Sequence, residues 1–92
     1  MNTEPEHIIH EDGYEYWLLN GELHRTNGPA EIWSDGTQYW WLNGVLHRED
    51  GPAVIFSEGD QYWWLNGKEY NFSDWLAALD ADKKTKILLT LK

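Results

Sequence analysis

Apolar and polar positions along this chain come in short bursts separated by glycine-bearing turns, and the bursts recur. Residues 37–42 are rich in Tyr and Trp and lie between Asp35-Gly36 and Asn43-Gly44, which are the composition and flanks of a strand. Asn43-Gly44 is a pair that accepts positive φ cheaply. The following stretch, 45–51, runs into Pro52, whose missing N–H disfavours a central strand, so it reads as a loop. Residues 53–57 form a second strand before Glu58-Gly59 turns the chain again. Applied along the chain, this reading predicts six antiparallel strands at 7–10, 14–19, 30–34, 37–42, 53–57 and 60–65, joined as a single meander.

The pattern repeats with a period of 23 residues. Asn20-Gly21, Asn43-Gly44 and Asn66-Gly67 keep that spacing, as do Tyr16-Trp17, Tyr39-Trp40 and Tyr62-Trp63. So do Leu23-His24-Arg25 with Leu46-His47-Arg48. His7-Ile8-Ile9-His10 falls where a last strand would stand, so the array is expected to open on a truncated unit. The third unit breaks off: Tyr70 and Asn71 replace the His and Arg. Phe72, Trp75, Leu76 and Leu79 then follow at helical spacing, with Ser73 as a suitable N-cap. Ile87, Leu88 and Leu91 suit a second helix begun by Asp80 or Asp82, and Ile87, Leu89 and Leu91 suit a strand; the helix is favoured. The expectation is one mainly β domain over 1–92, with a repeat sheet at 6–70 and a short helical cap at 71–92, the terminal element that repeat arrays need.

Composition sharpens this picture. The 92 residues include seven Trp, five Tyr and two Phe, and no Cys. Large rings stabilise a thin domain, while disulfides and thiolate metal sites are excluded. No run of about 18 apolar residues occurs and the first residues are polar, so neither a spanning helix nor a secretory signal is expected, and the protein reads as cytoplasmic. Net charge is −9, with twelve Asp and Glu in residues 1–67 against only Arg25 and Arg48. Such a sheet repels phosphate backbones, which argues against direct nucleic-acid binding.

The run Trp41-Leu42-Asn43-Gly44-Val45-Leu46-His47-Arg48-Glu49-Asp50-Gly51-Pro52-Ala53 resembles a variant of the MORN-type repeat, whose 23-residue units are β-hairpins with a tyrosine and an acidic-glycine turn, as in Asp35-Gly36-Thr37-Gln38-Tyr39. The likeness covers about residues 6–70. Trp40-Trp41 and Trp63-Trp64 replace the glycines usual after the tyrosine. This form is similar to that of small proteins of tailed phages and large DNA viruses. The resemblance implies a scaffold or binding module, and in a viral setting an accessory or anti-defence protein acting in the host cytoplasm. Family members are often lipid-associated, but the acidic sheet argues against a membrane partner.

Alternation along the strands puts Tyr16, Tyr39 and Tyr62 with Leu18, Trp41 and Trp64 on one face. Trp17, Trp40 and Trp63 with Leu19, Leu42 and Leu65 take the other. A short cap covers one face only. The other is expected to present Tyr39, Trp41, Tyr62 and Trp64, or Trp40 and Trp63, to a protein partner or a second copy of the chain, with Glu15, Glu31, Asp35 and Glu49 at its rim. A basic host protein suits that charge. The repeated His24-Arg25 and His47-Arg48 either stabilise the stack or form an anion pocket suited to a nucleotide. His7, His10, His24 and His47 lack metal-ligand spacing, so no metal or other cofactor is expected. Ser34, Ser57 and Ser73 lie in no nucleophile motif, and the acids form no isolated pair, so catalytic residues are not expected and the chain reads as a non-enzyme.

Overall fold

The computed structural model describes residues 3–91. Ten short strands precede two helices: β1 (Glu6–Ile9), β2 (Glu15–Leu19), β3 (Glu22–Leu23), β4 (Glu31–Ile32), β5 (Gln38–Tyr39), β6 (Trp41–Leu42), β7 (Val45–Leu46), β8 (Val54–Ile55), β9 (Gln61–Leu65), β10 (Lys68–Tyr70), α1 (Phe72–Ala78) and α2 (Ala81–Thr90). The main sheet runs β1-β2-β4-β5-β8-β9-β10, with β3 paired to β2, and β6-β7 forms a separate ribbon. Every pairing is antiparallel. The mainly β meander with a helical cap is therefore present.

Three details differ from the sequence-based expectation. The chain after each Asn-Gly does not loop at once but returns as β3, β7 or β10, so residues 45–46 are strand. Asn20, Asn43 and Asn66 have φ of 52°, 49° and 52°, and the glycines after them 82°, 78° and 80°. Two consecutive left-handed residues match the right-handed twist of a tight hairpin, which sends the chain straight back. The expected strand 37–42 is split, because residues 41–42 leave the main sheet to pair with β7. Asn71, not Ser73, caps α1, its side chain accepting from the Asp74 N–H at 2.8 Å. Residues 81–90 are helical, with Asp80 as N-cap.

Units are tied together by the same bonds each time. The Gly44 N–H donates to the Leu23 carbonyl and the Gly67 N–H to that of Leu46, both at 2.9 Å. The Arg25 N–H donates to the Trp41 carbonyl at 3.2 Å and the Arg48 N–H to that of Trp64 at 3.1 Å. His24 Nδ1 accepts from the Asn43 N–H at 3.0 Å, and His47 Nδ1 from the Asn66 N–H at 2.9 Å. Each acceptance places the ring proton on Nε2 in the neutral imidazole. The repeated histidine thus stitches one unit to the next.

Few side chains inside the sheet are buried: Ala30, Ala53 and Val54 are the apolar examples before Leu65. The core cluster sits at the C-terminal end, where Leu65, Trp75, Leu79 and Ile87 pack with Trp63, Tyr70, Phe72 and Leu76. Trp75 is fully buried, and its indole N–H donates to the Arg48 carbonyl at 2.9 Å, tying the cap to the second unit.

Two outcomes follow. Gly44→Val puts a β-branched residue at positive φ, with its Cβ 3.0 Å from Glu22 Oε2; urea unfolding should show a loss of about 1–3 kcal/mol. A loss below about 0.5 kcal/mol would refute the turn geometry. Removing residues 71–92 uncovers Trp63 and Leu65, so that variant should aggregate or bind a hydrophobic dye, whereas a soluble, cooperatively melting product would contradict the capping role.

Candidate functional site

The two faces of the sheet are finished differently. On the face bearing Trp17, Trp40 and Trp63, each ring has a lid. Arg25 Cζ lies 3.8 Å from the Trp17 ring centroid and Arg48 Cζ 3.9 Å from that of Trp40. Each guanidinium is fixed by the loop that carries it. Arg25 Nε donates to Asn27 Oδ1 at 3.0 Å and Nη1 to the Pro29 carbonyl at 3.1 Å. Arg48 repeats this with Asp50 at 2.8 Å and Pro52 at 2.9 Å. A Cβ on Gly28 would sit 2.9 Å from Arg25 Cζ, and one on Gly51 2.8 Å from Arg48 Cζ. The glycine before each proline therefore makes room for the guanidinium. His7 adds a stacked contact to Trp17 at 4.1 Å, and its Nε2–H donates to the Glu15 carboxylate at 2.7 Å. Trp63 has no arginine; Phe72 and Trp75 of α1 lie 5.3 and 6.4 Å from it.

The opposite face carries no helix. Its register groups His10, Tyr14, Tyr16 and Trp33 in one ring cluster, with Tyr14 and Trp33 stacked at 4.4 Å. A second cluster joins Trp41, Tyr39, Phe56 and Tyr62 through contacts of 5.5–6.4 Å. Glu31 sits between them, only 8% exposed. It accepts from the Tyr14 hydroxyl at 2.8 Å and from the Trp41 indole N–H at 3.0 Å. Burial first, then the bond to Glu31 and its charge, pushes the Tyr14 hydroxyl well above the usual phenol range. Tyr39 moves the same way, chiefly through burial and then the charges of Glu31 and Asp35. One unit later Val54 stands in the place of Glu31, and the buried Trp64 indole nitrogen has no hydrogen-bond partner among the described residues.

This arrangement sorts the residues singled out in the sequence. Tyr39, Trp41, Tyr62 and Trp64 do share the uncovered face, Tyr62 at 38% exposure and the other three half-buried. Trp40 and Trp63 are not on it, because alternation turns them under Arg48 and α1. Glu31 is a buried anchor and not a rim acid. Glu15 lies on the lidded face with His7, and Glu49 faces Lys83 at 3.3 Å. Asp35 is exposed at its turn, and its carboxyl is held below the usual carboxylate value, mainly by the Thr37 backbone N–H at 2.9 Å. Two exposed rings went unnoticed: Trp33 at 43% and Phe56 at 38%. Their 23-residue spacing at the strand ends, next to Asp35-Gly36 and Glu58-Gly59, was the available signal. Each N–H bonds across its own turn, Trp33 to the Thr37 carbonyl and Phe56 to that of Asp60, both at 2.9 Å. Exposed rings and exposed acids thus share one edge of the sheet.

Among the described residues no group of three metal-ligating side chains is found, and no helix is long and apolar enough to cross a membrane. No family model matches the chain, and no curated protein or solved structure matches it either.

Glu31→Ala leaves the Tyr14 hydroxyl and Trp41 indole N–H without their acceptor, so denaturant unfolding should show a loss of about 2–3 kcal/mol. The neutral phenol of Tyr14 is the bound form. Its stabilisation is intact below the ordinary phenol value near 10 and is lost as pH rises beyond it. Glu31→Gln should move the ionisation of Tyr14, and to a lesser extent that of Tyr39, to lower pH in an absorbance titration.

Proposed function

We propose that this protein is a non-enzymatic binding module that docks on a basic protein surface through its uncovered aromatic face and the acidic turn edge beside it. The observation that supports this is the exposure of Trp33 and Phe56, one repeat apart, against turns carrying Asp35, Glu58 and Asp60. Exposed rings this large in a row, bordered by charge of one sign, have the make-up of an interface centre with a polar rim. The resemblance of the repeat to small viral proteins gives the concrete form of the reading: an accessory or anti-defence protein of a phage that covers and blocks a host protein in the cytoplasm.

The division of labour follows from exposure. Trp33, Phe56 and Tyr62 lose water on docking, so they set the dissociation rate. Asp35, Glu58 and Asp60 act across solvent within a screening length of about 8 Å, so they set the association rate and its salt dependence.

Affinity capture from host extract, read by mass spectrometry and repeated with Trp33→Ser and Phe56→Ser, tests the reading. The captured protein, purified and titrated, should bind at least about tenfold more weakly to either ring variant at a temperature where both variants are still folded by circular dichroism. Asp35→Asn should mainly flatten the salt dependence. Equal affinity for the ring variants would overturn the proposal. A dimer in sedimentation that Trp33→Ser dissolves would assign the face to a second copy of the chain instead.

A further inference from the structure

Behind the aromatic face, a groove of about 610 Å³ lies between the loops after β3 and β7 and the first turns of α2. Of the seven Lys and Arg in the chain, Arg25, Arg48, Lys83 and Lys86 line it, beside Trp40 and His47. Sixteen acids are spread over the molecule, yet only Glu49 and Asp50 enter this groove. They are answered there: Arg48 meets Asp50 at 2.8 Å, and Lys83 bridges Glu49 at 3.3 Å and Asp80 at 3.2 Å. Among the described residues neither Arg25 nor Lys86 forms an ion pair, and Glu4 borders Arg25 on its other side, outside this groove; four cations against two acids leave the groove lining positive on an otherwise acidic protein.

The arginines are also held ready. In each, Nε and Nη1 are engaged by the loop while the plane lies on a tryptophan. Among the described residues that leaves Nη2 of each without a hydrogen bond, on a side chain whose rotamer entropy has already been lost in folding. Planar guanidinium donors suit phosphate oxygens, and two of them one repeat apart suit a ligand with more than one phosphate.

We infer that this groove binds a small ligand carrying two or more adjacent phosphates, gripped by Arg25, Arg48 and Lys86. The volume accommodates a nucleotide. Trp40 lies beneath Arg48 and offers no free ring for a base to stack on, so recognition is by the phosphates and is indifferent to the base. The site is separate from the aromatic face and stands or falls without it.

Calorimetric titration of the full chain with sodium pyrophosphate is the direct test. Binding with a Kd of about 1 mM or tighter is expected, with ATP and CTP alike. Lys86→Glu should weaken it at least about fivefold with melting temperature unchanged, whereas Lys84→Glu, outside the groove lining, should weaken it far less. Retention on vesicles carrying a bisphosphorylated inositol lipid, released by pyrophosphate, would put the phosphates on a headgroup; binding in solution without retention would put them on a free ligand. No heat up to about 10 mM pyrophosphate, or equal losses in the two lysine variants, would overturn the assignment.

Discussion

The second and third Asn-Gly turns, Asn43-Gly44 and Asn66-Gly67, each present two backbone N–H groups to the unit before, one to a histidine ring and one to a leucine carbonyl. Everything else in the sheet depends on that pair of bonds. Once they form, successive hairpins are related by one fixed displacement, and any side chain repeated every 23 residues becomes a column. The columns of Trp, of Arg and of turn acids are consequences of the stitch and not separate achievements of packing. The left-handed Asn and Gly residues supply the backbone shape, and a neutral imidazole supplies the acceptor.

The columns then need covering, and the chain uses two chemistries for it. Trp17 and Trp40 receive a guanidinium each, which shields the ring while keeping a charged edge in water. Trp63 receives hydrocarbon, because Asn71 replaces the arginine and Phe72 and Trp75 fold back over the ring. On the reverse face the second unit has Glu31 to bridge its ring clusters, while the third has Val54 and an unbonded Trp64 indole nitrogen. The third unit is specialised for contact with the cap and has given up part of the polar wiring of the second.

Much of this was legible in the sequence. The period, the turns, the parity of the aromatic columns and the position of the cap all follow from residue spacing, because period-2 alternation and Asn-Gly chemistry are local rules. The return strands β3 and β7 were not legible, since a two-residue strand carries no periodicity and Pro52, lacking an N–H, disfavours a strand close by. Nor was the burial of Glu31, which depends on Tyr14 and Trp41 arriving from two other strands. The eight-residue offset of Trp17 from Arg25 and of Trp40 from Arg48 was visible as a pattern, but its meaning needed the hairpin that folds one over the other. Lys83 and Lys86 reach the arginine loops only through the docking of α2, a placement no local rule gives.

The core cluster lies at one end of the array, among residues that follow the hairpins in the chain. On the ribosome the hairpins are made before the helices that cover Trp63 and Leu65. The repeats alone bury little beyond Ala30, Ala53 and Val54, so they emerge with tryptophan surface open and little to hold them. Completion of the fold waits for α2 to clear the exit tunnel. The same asymmetry survives in the finished molecule: the buried cluster anchors β9 and α1, while β1 lies at the far end of the sheet order from that anchor.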